Sequence, residues 1–255
     1  MRSYHGLMKM KYVLPILIAL GSSSAKAFNT VFVGDSHSYG QFGEEIDKYL
    51  RSVSKNVTSI AGCGSSPSTW MADGKKFKST NCGYWRRDIK GQEIRVKEHQ
   101  VDSFSKELSA LHPDLTVIAL GTNILSTPTN ILSEKKSIQA MLDTIKKNDS
   151  ECIWIGPPDT GNKTLKLNLA DGVKEIKALV EKANCAFVDS SELTKYPAGK
   201  SDGIHYGPKD SAEWGKKVVA KIEKLPQVSR AREKVVQPLL EEDTTGTTSE
   251  PGAVR

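Results

Sequence analysis

Short apolar runs recur along this chain, and a stretch of helical periodicity separates each from the next. The runs are TVFVG (30–34), VTSI (57–60), LTVIAL (115–120), CIWIG (152–156) and AFVD (186–189). The helical stretches are 40–53, 94–111, 131–147, 165–183 and 209–224. In 40–53 the apolar positions are Phe42, Ile46, Tyr49, Leu50 and Val53; in 209–224 they are Trp214, Val218, Val219 and Ile222. A strand with no polar face must be covered on both sides, and strand–helix alternation supplies the covers. The pattern predicts an α/β fold with three layers, a five-stranded parallel sheet between two sets of helices. Sheets of this kind bind ligands outside the carboxyl ends of their strands.

The ends of the chain read differently. Arg2, Lys9 and Lys11 precede the apolar run 12–20, and Ala25 and Ala27 then form an A-x-A site. This is the pattern of a secretory signal peptide over 1–27, and the run is too short to span a bilayer. Residues 28–225 form the expected domain. Residues 226–255 turn polar, end in a Thr/Gly/Ser-rich stretch, and are expected to be a disordered tail. Export also changes the charge. Removing Arg2, Lys9, Lys11 and Lys26 from 36 basic residues leaves 32 against 30 acidic ones. A mature charge of +2 gives no reason to expect nucleic acid as a partner.

Four cysteines fit an oxidising destination. Cys152 and Cys185 each open an apolar run. On adjacent parallel strands their Cα atoms would lie about 5 Å apart, within disulfide reach. Cys63 and Cys82 would then close a loop of roughly 20 residues, worth about 3 kcal/mol in the chain-entropy model. The spacings do not suit a zinc site.

The chemistry-bearing residues fall at the ends of different strands. Gly34-Asp35-Ser36 closes the first, where a serine would be presented on the ligand edge. By itself this is equally a helix cap. Asp202-Gly203-Ile204-His205 follows the last strand. A histidine returning to the same edge can take the proton of Ser36, and Asp202 can hold its other ring nitrogen. Gly62 and Gly64 follow the second strand and Asn123 the third. Backbone N–H groups and a side-chain amide there could serve an oxyanion, although Gly and Asn also favour plain turns. His37 is expected to point away from the nucleophile, and His99 and His112 to be structural.

Taken together, GDSHS (34–38), the Gly62/Gly64 loop, GTN (121–123) and DGIH (202–205) resemble the SGNH, or GDSL-type, hydrolases over about 30–222. The resemblance implies a flavodoxin-like sheet and no metal or organic cofactor. It implies Ser36 as nucleophile, His205 and Asp202 completing a triad, and Ser36, Gly64 and Asn123 around the oxyanion. Gly62 remains an alternative to Gly64. The family's third block usually continues with aspartate, and here Ile124 takes that place.

Residues 61–92 read as a long irregular insertion overhanging the site, and such loops are often functional. It holds Trp70, Phe77, Tyr84 and Trp85 among Lys75, Lys76, Lys78, Arg86 and Arg87. Trp70 and Trp85 are the expected sugar-stacking residues. With export, this suggests an acyl ester on a glycan as substrate, with no stable membrane anchor. The alternatives are a thioesterase, lysophospholipase or O-acyltransferase with the same triad, or a non-catalytic glycan-binding module.

Overall fold

The computed structural model describes residues 28–74, 76–78, 82–199 and 202–234. The expected signal peptide lies outside them. Among the described residues, nine strands and the helices that cover them run in the order β1 (Asn29–Gly34), α1 (Gln41–Val53), β2 (Asn56–Gly62), α2 (Pro67–Met71), β3 (Lys76–Lys78), β4 (Tyr84–Arg87), β5 (Glu93–Val96), β6 (Glu98–Gln100), α3 (Phe104–Leu111), β7 (Leu115–Ala119), α4 (Pro128–Lys147), β8 (Glu151–Ile155), α5 (Lys163–Lys182), β9 (Ala186–Val188), α6 (Ser190–Leu193) and α7 (Pro208–Ile222). The main sheet has the order β5-β4-β2-β1-β7-β8-β9. Its five strands from β2 to β9 are parallel. β1 lies between β2 and β7, so the chain order reverses beside it, and that is where such sheets place a ligand.

The apolar runs alternate between the two faces, as period-two geometry requires. Val31 and Val33 of β1 join Ile118, Trp154, Met141 and Ile176 on one side. Phe32 joins Phe42, Leu50, Trp214 and Val218, beneath α1 and α7, on the other. Both clusters are closed to solvent, which is what wholly apolar strands predict.

Three expectations need correction. The segment 61–92 is not irregular: it forms α2, β3 and β4, and β4 pairs antiparallel with β2. The expected helix 94–111 begins only at Phe104, because β5 and β6 occupy its first part. β5 extends the sheet beyond the five parallel strands by pairing with β4, Tyr84 opposite Val96 and Arg87 opposite Glu93. Charged side chains line this edge, so neither strand reads as apolar. Arg87 instead pairs with Glu93 and with the buried Asp47. Finally, residues 226–234 of the expected tail form a further helix whose Val228 and Ala231 are buried in the α1/α7 cluster.

Both disulfides form as expected. Cys152 and Cys185 bridge at a Cα separation of 4.7 Å, and Cys63 and Cys82 at 6.0 Å.

Candidate active site

β1 delivers Ser36 to the rim. The strand ends at Gly34, and a turn over 36–39 leads to α1. Asp35 holds that turn: its carbonyl accepts from Ser38 N at 3.1 Å and its carboxyl Oδ1 from His37 N at 3.0 Å. Asp35 is buried and Ser36 half-buried, so the hydroxyl is left facing the rim.

His205 arrives there because its loop is pinned to the one after β8. The carbonyl of Gly203 accepts from Gly161 N (2.8 Å), Asn162 N (2.9 Å) and Thr160 Oγ1 (2.7 Å). Gly203 has φ +71°, and a Cβ on it would sit 2.6 Å from Asn162 N. Only glycine permits this approach. Asp202 Oδ1 then accepts from Ile204 N and His205 N, and Tyr196 Oη donates to His205 O.

The result is a hydrogen-bonded relay. His205 Nε2 lies 2.9 Å from Ser36 Oγ, and His205 Nδ1 lies 2.6 Å from Asp202 Oδ2. With Nδ1 protonated toward the carboxylate, Nε2 is free to accept the serine proton. Burial pushes the Asp202 pKa up, but the hydrogen bonds from the His205 ring and from Ile204 N and His205 N outweigh it and hold it at about 2. The carboxylate is therefore ionised across the neutral range.

The two glycine alternatives sit in different surroundings. Gly62 is buried within β2, and a Cβ there would overlap the Phe77 ring. Gly64 is exposed at the rim with φ +73° and open space around it. Asn123 follows β7 in a 3-10 turn over Thr122–Ile124. Its Nδ2 donates to Ser65 O at 2.8 Å and reaches Asp35 Oδ2 only at 3.5 Å. Ile124 is buried in the core and gives the amide no polar support.

Other expected residues lie elsewhere. His37 does not point clear of the site: its ring stands 5.4 Å from that of His205 and packs edge-on against Trp214. Burial, then the nearby His205, push its pKa down to about 3, so it is neutral. Burial also pushes the Asp35 carboxyl up to about 7, against the hydrogen bond from His37 N and the field of His205. His99 lies on β6, stacked on Tyr84, and His112 ends α3. Trp70 and Trp85 are buried in the core, at 1% and 0% exposure, and cannot stack on a sugar. A cleft of about 520 Å³ opens beside the relay instead, lined by Ser36, His205, Tyr39, Gln41, Arg95 and Tyr206 among others. Arg95 stacks on Tyr39 and donates to Tyr39 O and Glu44 Oε1.

No protein-family model matches the chain, and no curated protein matches it in sequence. Solved structures do match it in shape. A peptidoglycan O-acetylesterase aligns with a TM-score of 0.52 at 11% identity, over 79% of this chain and 92% of that one. A carbohydrate acetylesterase family member from Sinorhizobium meliloti aligns at 0.51 and 14%, over 76% and 97%. The M. smegmatis aryl esterase aligns at 0.53 and 12%, over 77% and 99%. The chain has the SGNH hydrolase fold. Within it, the rim position of Ser36 beside β7 is where a doubly wound sheet seats its ligand.

The SGNH blocks did not reveal every group around the site. Asp35 lay inside the first block, but its burial and its grip on the turn are tertiary facts. Tyr39 and Arg95 reach the cleft from α1's approach and from β5, and no sequence signal joins them.

Proposed function

We propose that the protein is an exported serine esterase of the SGNH hydrolase family that removes acyl groups, O-acetyl foremost, from a carbohydrate or cell-wall polymer. The observation that carries this is the relay Ser36–His205–Asp202, whose two contacts span 2.9 and 2.6 Å. Ser36 Oγ attacks the ester carbonyl while His205 Nε2 takes its proton. The tetrahedral oxyanion is met by the backbone N–H groups of Ser36 and Gly64 and by the Asn123 amide, whose second hydrogen has, among the described residues, only the long contact to Asp35 to give up. The imidazolium, stabilised by ionised Asp202, returns the proton to the departing alcohol. Water then repeats the cycle on the acyl-enzyme and releases the acid.

Two considerations support the substrate class. One of the matching structures is a peptidoglycan O-acetylesterase and another a carbohydrate acetylesterase family member. Two disulfides suit an extracytoplasmic destination, where such polymers occur. Among the described residues no helix is long and apolar enough to cross a membrane.

The test is turnover of p-nitrophenyl acetate, acetate release from a panel of O-acetylated polysaccharides, and labelling by a fluorophosphonate probe. Ser36→Ala should abolish turnover and labelling with its circular dichroism unchanged. Full activity in that variant removes Ser36 from the mechanism. A steep preference for long acyl chains would favour the lysophospholipase or thioesterase alternative, and failure to label would favour a binding module.

A further inference from the structure

Replacing the family's aspartate by Ile124 raises the question of what holds the Asn123 amide in place here. Among the described residues its one short contact is to Ser65 O, at 2.8 Å. Ser65 is therefore a fixed point of the rim, and it is fully buried. Its hydroxyl donates to Gly34 O at 3.2 Å and accepts from Trp70 Nε1 at 3.0 Å. Through Ser65, the end of β1, the Gly64 turn and Asn123 meet at one residue.

The segment that follows Ser65 is gripped from the side by α4. Glu134 is nine-tenths buried, and its carboxylate accepts from Ser66 Oγ (2.8 Å), Ser68 N (2.8 Å) and Ser68 Oγ (2.5 Å). All three donors are hydroxyl or amide groups of the short α2 and its cap. Hydrogen bonds to an ionised acceptor are short and strong, and a half-satisfied buried carboxylate is costly. The grip is thus expensive to break from either partner. It begins two residues after Gly64 and one after Ser65.

We infer that Glu134 is a positioning residue for the oxyanion site: by clamping Ser66 and Ser68 it fixes the Gly64–Ser65 turn, and through Ser65 O the Asn123 amide. The inference rests on the esterase reading above. Glu134 touches no reacting atom. It acts by holding two of the three oxyanion donors in register with Ser36.

Three enzymes decide the matter: wild type, Glu134→Ala and Glu134→Gln, each folded with both disulfides intact. Active sites are counted with the fluorophosphonate probe, and p-nitrophenyl acetate kinetics are expressed per labelled serine. Loss of one oxyanion donor costs about 100- to 1,000-fold in kcat, so loosening the loop that carries two should cost Glu134→Ala about 10- to 100-fold, with KM within about twofold. Glu134→Gln, which keeps an acceptor, should recover part of that loss. A purely structural residue would lower the melting temperature and leave kcat per labelled serine unchanged, and that result overturns the inference while sparing the esterase reading. A wild type that neither labels nor turns over removes the esterase reading and the inference with it. Should Glu134→Ala not fold, Ser68→Ala, which deletes one of the three contacts, carries the same comparison, with a several-fold fall in kcat expected and an unchanged kcat refuting.

Discussion

Replacing Asp35 by asparagine should stabilise the protein, and the gain should depend on pH. The carboxyl is buried under the nucleophile turn, and burial raises its native pKa to about 7 from 3.8. Between those values the unfolded chain has released the proton and the native one still holds it. The unfolded state then binds fewer protons, so stability falls as pH rises through this window and stays at its lower level above about pH 7. Each pH unit is worth about 1.4 kcal/mol, so a window of about three units amounts to about 4 kcal/mol. Asp35→Asn has no proton to lose and keeps an oxygen to accept from His37 N. Its stability relative to wild type should therefore climb by up to about 4 kcal/mol between about pH 4 and pH 7 and then level off. Groups whose ionisation does not couple to Asp35, His37 and Asp202 among them, cancel in the difference. Urea unfolding of the two proteins across this range, with disulfides intact, reads the difference directly. A difference that stays flat over the window would show that Asp35 ionises in the native state as it does in the unfolded chain, and the reasoning from burial would fail.

Three further variants test the loop that carries His205 and the two disulfides. Gly203→Ala places a methyl 2.6 Å from Asn162 N and 2.9 Å from Gly161 C, at φ +71°. His205 is two residues on, and a displacement of about 1 Å can cost 100-fold, so kcat/KM should fall by about that factor with helical content retained. Near-normal esterase kinetics would show that the 160–162 contact does not place the histidine. The disulfides should separate stability from activity. Cys152 and Cys185, 33 residues apart, lie at the starts of β8 and β9, away from the rim that bears Ser36. Replacing both by serine should cost about 3–4 kcal/mol in thermal or denaturant unfolding and leave kcat unchanged. The Cys63–Cys82 pair spans 19 residues; Cys63 immediately precedes Gly64 and Cys82 borders the cleft. Its loss should cost about 3 kcal/mol and lower kcat as well. Equal kinetics in the two double variants would contradict this assignment.

The sequence alone determined the parts whose physics is local. Short apolar runs that alternate with amphipathic stretches favour covered parallel strands, so β1, β2, β7, β8 and β9 and the helices between them are legible to within a few residues, the start of α3 excepted. Ser36, Asn123 and His205 were legible as groups at strand ends, because chain reversal at a doubly wound sheet brings those ends to one rim. Tertiary structure decided whatever depends on a partner distant in the chain. β4 and β5 are strands because each lies against another strand, and their charged residues find Asp47, Glu107 and Glu44 only after folding. Trp70 and Trp85 stand among cations in the sequence, yet they are core, because aromatic area buried beneath a sheet edge outweighs the polarity of its neighbours in sequence. The same holds for Asp35, His37 and Glu134: composition cannot show which polar groups lose their water, and it is that loss, together with the partner that replaces it, that gives each its role.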